Sequence, residues 1–108
     1  MYVVNQTDLP FSNIAREFVG SEHGAGACLI LVDAPPGRGP GLHRHPYAEL
    51  FLVHEGEGVF RTVDGERSVS AGDLVVVPAD TWHGFTATEQ LRMTSVQPSP
   101  DFVTEWKD

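Results

Sequence analysis

Three of the five histidines fall with three glutamates inside one strand-like run, LHRHPYAELFLVHEGEGVF (42–60). His43 and His45 are separated by one residue, and Glu49 follows after PYA. On a β-strand, side chains at i and i+2 share a face, so both imidazoles point the same way and Arg44 points to the other side. Two such positions lie roughly 7 Å apart, a gap that two imidazoles can close by leaning toward one ion bound at ~2.1 Å. On a straight strand Glu49 would lie about 13 Å beyond His45. Pro46 lacks an N–H and tends to end a strand, so HPYAE is expected to turn the chain back. Glu49 would then open a returning strand, with Phe51 on its face and Leu50 and Leu52 on the other. A fourth group comes from VVVPADTWHGF, where a strand over Leu74 to Val77, read as buried, stops at Pro78 and a short turn leads to His83. Three imidazoles and one carboxylate suit a divalent first-row metal such as Fe, Mn, Ni or Zn, and an octahedral shell would keep two positions for water, dioxygen or a chelating substrate.

Taken singly, each histidine reads more simply as a hydrogen-bonding residue; the grouping is what favours a metal. His54, before the Glu55-Gly56 turn, and His23, in GSEHGAG, have no such grouping and are read as surface and loop residues. Glu49 is expected to serve both as a ligand and as a base once substrate displaces it. Tyr47, Phe51, Val59, Trp82 and Phe85 are the pocket residues expected beside the ligands, with Val75 and Val77 as further wall and core. Tyr47 reads equally as an exposed turn residue and Trp82 as packing. Arg38, Arg61 and Arg92 are possible anchors for a substrate carboxylate, whereas Arg44 is discounted by strand parity.

The elements that must position these groups are short. At 108 residues the chain suits one domain with one core. Its 41 % hydrophobic content and two tryptophans argue against disorder. Eleven glycines and eight prolines lie between short apolar runs and act as turn punctuation. NIAREFVG, GACLILVDAPPG, ELFLVHEGEG, GVFRTVDG, ERSVSAGD, LVVVPAD, WHGFTA and QLRMTSVQP read as successive strands, with Asp64-Gly65 as a two-residue hairpin signal. Strands and turns alternating at this pace indicate an antiparallel barrel or sandwich. The tail SPDFVTEWKD allows either a short helical turn capped by Ser99 or an extended arm.

Seven basic against fifteen acidic residues give a net charge of −8, which leaves no basic patch for nucleic acid and disfavours anionic membranes. Cys28 is alone, so no disulfide forms within the chain, and its place in ACLILV marks it as a buried strand thiol. No apolar run approaches ~18 residues, and MYVVNQTDLP lacks the charged-then-apolar pattern of a signal peptide. A cytoplasmic protein is the expectation.

The spacing resembles the cupin superfamily, in particular its small single-domain members. The first cupin motif is matched by Gly37, His43, His45, Glu49 and Gly56, and the second by Gly72, Pro78 and His83. Asp80 stands where the second motif has glycine, and Ala87 where it has asparagine. Asp80 suits a turn because its short side chain can bond locally. The motifs, 37–56 and 72–87, together span Gly37 to Ala87, about half of a single cupin domain over 1–108. The resemblance implies an all-β jelly roll, or double-stranded β-helix, with a metal held inside by His43, His45, Glu49 and His83. It further implies a homodimer, a small-molecule substrate or ligand, and most directly a metal-dependent dioxygenase. A redox-neutral isomerase, lyase or cyclase and a non-catalytic binding cupin are the alternatives, because cupins carry many functions.

Overall fold

The computed structural model describes all 108 residues, Met1–Asp108. Two antiparallel sheets face each other. The first runs in the order β1 (Phe11–Ser12), β2 (Ala15–Phe18), β3 (Cys28–Ala34), β10 (Leu91–Gln97), β5 (Glu49–Glu55), β8 (Leu74–Val77). The second runs β11 (Glu105–Trp106), β4 (His43–Arg44), β9 (His83–Ala87), β6 (Glu57–Thr62), β7 (Gly65–Ser70). Two single-turn 3-10 segments, Gln6–Asp8 and Gly20–His23, are the only helical pieces. This is the all-β antiparallel architecture that the strand spacing indicates, in the jelly-roll form that the cupin resemblance implies, and Cys28 is fully buried in β3.

The alternation of side chains decides what faces the interior. Along β5, Glu49, Phe51 and Val53 are buried while Leu50, Leu52 and His54 are exposed. Along β10, Leu91, Met93, Ser95 and Gln97 are buried, and along β9 so are His83, Phe85 and Ala87. Phe51, Phe60 and Phe85 meet in the middle at ring-centre distances of 4.9 to 6.1 Å, within the range of favourable aromatic packing.

Several local expectations change. β4 and β5 are not a hairpin: residues 45–48 carry the chain from one sheet across to the other, so Glu49 reaches the histidines from the facing sheet. β8 is an edge strand and not a buried one; Val77 is buried, but Leu74 and Val76 are 73 % and 64 % exposed. A run of four apolar residues cannot by itself tell an edge from a centre. The β6–β7 loop is Val63-Asp64, with Gly65 already paired to Thr62, one residue earlier than the Asp-Gly signal indicates. The tail takes its extended alternative: Glu105 and Trp106 pair with Arg44 and His43. Asp80 adopts a φ of 61°, the left-handed conformation for which its side chain is suited. Gly56 is required where it stands, since a Cβ there would meet the Gln90 carbonyl oxygen at 1.9 Å and its φ is 84°.

Candidate metal centre

His43 on β4 is the direct cross-strand partner of His83 on β9, and their rings lie 4.4 Å apart. His45 follows immediately beyond β4 on the same face, with its ring 5.3 Å from His43 and 5.5 Å from His83. Glu49, the first residue of β5, closes the group from the opposite sheet. One donor atom from each of the four lies within 4.8 Å of the others, and none of the four residues is more than 7 % exposed.

The hydrogen bonds behind the rings set their tautomers. His43 Nδ1 lies 2.8 Å from the Gly41 carbonyl, His45 Nδ1 2.9 Å from that of Val103, and His83 Nδ1 2.8 Å from that of Thr81. A carbonyl only accepts, so each Nδ1 carries the hydrogen and each Nε2 is left with a lone pair. His83 Nε2 and His45 Nε2 stand 2.8 and 3.1 Å from the same Glu49 Oε1, yet His45 Nε2 has no hydrogen-bond partner. Lone pairs and a carboxylate gathered this closely in a buried place need a cation among them, either a proton or a metal ion. Carbonyl-oriented imidazoles of this kind are the usual support of histidine ligands. The residues therefore fit a divalent metal, and the four could hold one.

Glu49 is held on its other side as well. Ser95 donates to Oε2, and Gln97 Nε2 donates to the same oxygen at 3.1 Å. Tyr47 donates its hydroxyl to Gln97 Oε1 and accepts from the Val103 N–H. Burial pushes the Tyr47 phenol up, keeping it the protonated donor this chain needs. Burial also disfavours the Glu49 carboxylate, but the closeness of the His45 and His83 rings and the bond from Ser95 outweigh it and hold the carboxyl down at about 2. Burial lowers His43, against the pull of the Gly41 carbonyl. For His45 burial is overcome by Glu49 and the Val103 carbonyl, so its value is raised.

Beside the quartet opens a cavity of about 660 Å³. Phe51 and Phe85 line it, as expected from the sequence, together with His43, His45 and Glu49. Tyr47, Val59 and Trp82 do not. Tyr47 instead stacks on His45 with ring planes 3° apart. Val59 faces away, because on β6 it is Gly58 and Phe60 that turn inward. Trp82 packs outside, with the Arg44 guanidinium 4.4 Å and the Lys107 ammonium 5.0 Å from its ring. Arg61 and Arg92 also lie outside, bonded to Thr86 and Glu55, and Arg38 is bonded to Asn13. His54 is exposed and pairs with Thr94, while His23 stacks on Phe18 and meets the Tyr2 hydroxyl. Ser95, Gln97 and Val103 are the supporting residues that the sequence reading passed over, and Phe102, Thr104 and Trp106 of the tail add to the cavity wall.

Residues 30–97 match the family model Cupin_2, the cupin domain. The chain belongs to this family. Among curated relatives, the acireductone dioxygenase of Leptospira biflexa is 33 % identical over 88 residues, covering 70 % of this chain and 50 % of that protein. The 1-methylthio-D-xylulose 5-phosphate methylsulfurylase of Rhodospirillum rubrum is 30 % identical over 78 residues, 72 % of this chain and 50 % of that one. The chain thus spans half the length of each of these two relatives. Among solved structures, oxalate decarboxylase from Bacillus subtilis superposes on 99 % of this chain and 33 % of its own, with a TM-score of 0.82 and 21 % identity. That likeness is one of fold. No helix of the chain is long and apolar enough to cross a membrane.

Proposed function

We propose that this chain is a metal-dependent dioxygenase-type enzyme acting on a small organic molecule, with His43, His45, Glu49 and His83 as the metal ligands. The observation that carries this reading is the convergence of three Nδ1-anchored imidazoles and one doubly fixed carboxylate at the wall of a cavity. When bound there, iron, manganese or nickel would supply Lewis acidity and one-electron chemistry with dioxygen. The chain's own residues do the rest. The Gly41, Val103 and Thr81 carbonyls aim the imidazoles, Ser95 and Gln97 fix the Glu49 oxygen turned from the histidines, and Phe51 and Phe85 keep the adjoining volume poor in water. The Leptospira relative supports the oxygenase class.

The test is oxygen uptake by protein loaded in turn with iron, manganese and nickel, against dihydroxyaromatics, flavonols and diketones. Uptake that depends on both metal and substrate and disappears in His83→Ala is the expected result. No uptake across the panel would remove the oxygenase reading. A redox-neutral lyase or isomerase is the second reading, kept because the Rhodospirillum relative is named a methylsulfurylase and not an oxygenase, and would show as substrate turnover under strict anaerobiosis. A homodimer is proposed as the working form, with the exposed apolar stripe of Leu50, Leu52, Leu74 and Val76 as its contact. Sedimentation at twice the monomer mass, lost in Leu74→Lys, would bear this out.

A further inference from the structure

The charges around the cavity restrict what can occupy it. Its inner wall is apolar, from Ile30, Val32, Phe51 and Phe85, and one side of it carries His43, His45 and Glu49. The remaining ionisable side chains in its lining are both acids: Glu17, on the inward face of β2 opposite Ile30, and Glu22, in the turn Gly20–His23. Both are exposed, so they stand on the solvent side of the opening.

None of the seven basic residues lines it. Arg44 is paired with Glu105 and lies against Trp82, where Lys107 joins it. Arg61 is bonded to Thr86 and Arg92 to Glu55, both outside, and Arg67 is exposed on the edge strand β7. Two arginines touch lining residues without lining the cavity themselves: Arg16 bonds the Leu9 carbonyl, and Arg38 bonds the Asn13 side chain. The guanidinium groups expected from the sequence as carboxylate anchors therefore all have partners of their own, and none lines the cavity. A carboxylate or phosphate placed away from the metal would find no cation and would face two acids at the mouth, within a chain of net charge −8.

We propose that the site selects a chelating small molecule whose end remote from the metal is neutral or cationic, such as an alkyl or amine-bearing catechol or enediol, with Glu17 and Glu22 setting the preference against anionic tails. This rests on the metal-site reading above and names the substrate class for the same cavity. Chelation would place the two vicinal oxygens beside the quartet, the apolar wall would take the ring or chain, and an ammonium group would lie toward the glutamates.

Three catechols that differ only in the tail test this: 4-ethylcatechol (neutral), dopamine (cationic) and 3,4-dihydroxyphenylacetate (anionic). Calorimetric titration into nickel-loaded protein reads binding without any turnover. The expected order is dopamine, then 4-ethylcatechol, then the acid, with dopamine and the acid separated by roughly fivefold or more, the scale of two partly exposed charge contacts. In a Glu17→Gln/Glu22→Gln double variant, both positions being exposed, that gap should collapse while 4-ethylcatechol binds as before. Equal affinities in the parent protein, a preference for the acid, or a gap that survives the double substitution would each overturn the proposal. Failure of 4-ethylcatechol itself to bind nickel-loaded protein would overturn the substrate class, whereas failure of the protein to take up nickel would overturn the metal-site reading beneath it.

Discussion

The space between the two sheets has two ends built from the same three strands, and they differ in chemistry. On β5 the inward residues pass from Glu49 through Phe51 to Val53; on β9, from His83 through Phe85 to Ala87; on β10, from Gln97 and Ser95 to Met93 and Leu91. One end is polar and closely hydrogen-bonded, the other apolar and packed, and the three phenylalanines separate them. Leu91 and Met93 are as inaccessible as Glu49 and His83, so burial alone does not distinguish a site from a core. What distinguishes it is partnership. Most polar groups at the first end answer another, while the Nε2 atoms of His43 and His45 make no hydrogen bond. Buried polar groups are costly unless satisfied, so the polar end is maintained for what it can hold, and the apolar end supplies the stability that lets it be maintained.

Substitutions at the two ends should accordingly separate stability from metal binding. Leu91→Ala, at the apolar end, is expected to lower unfolding free energy by about 2–5 kcal/mol through cavity formation. Chemical denaturation would show this, while the metal content of the folded protein stays unchanged; a metal loss as large as the stability loss would break the distinction. At the polar end, metal-free protein should show the Glu49 effect in acid. A carboxyl held at about 2 in the folded state contributes stability above its unfolded value near 4.5, and this is lost as pH falls from there toward 2. The contribution is about 3 kcal/mol. Glu49→Gln should flatten this acid limb, and superimposable limbs for the two proteins would contradict the assignment of the charge. Ser95→Ala removes a bond to Glu49 Oε2 and should weaken metal affinity about 10–100-fold with little change in thermal midpoint. Tyr47→Phe acts one bond further out, through Gln97, and should have the smallest effect, at most about 10-fold. If Tyr47→Phe exceeded Ser95→Ala, support from the tail through Val103 would outweigh support from β10.

The quartet was legible because its spacing is local in three of four cases: H-x-H fixes a shared face, and Pro46 forces the chain off that strand before Glu49. His83 was legible from its position after a strand, a proline and a turn. The support was less so. Ser95 and Gln97 could have been found by carrying the alternation Leu91, Met93, Ser95, Gln97 to its end, since two polar residues continuing a buried apolar face need buried partners. The contributions of Val103 and Trp106 could not, because strand pairing between β11 and β4 joins residues some sixty positions apart with no periodic signal. The same limit explains Val59, whose neighbour Phe60 faces inward, and β8, whose apolar run gave no sign that it lies at an edge. The candidate arginines could not be placed for a related reason: a guanidinium's partner is set by tertiary placement, and Arg61 and Arg92 have theirs outside the cavity while Arg38 bonds Asn13 at its wall.

The central claim is that the polar end holds a metal ion. Elemental mass spectrometry on untagged protein, beside His45→Ala and His83→Ala variants of unchanged circular dichroism, tests it most directly. The prediction is about one transition-metal ion per chain in the parent protein, as the single four-ligand cluster requires, and its loss in both variants. No metal in the parent after loading with iron, manganese, nickel and zinc in turn, or a metal retained equally by both variants, would contradict the account.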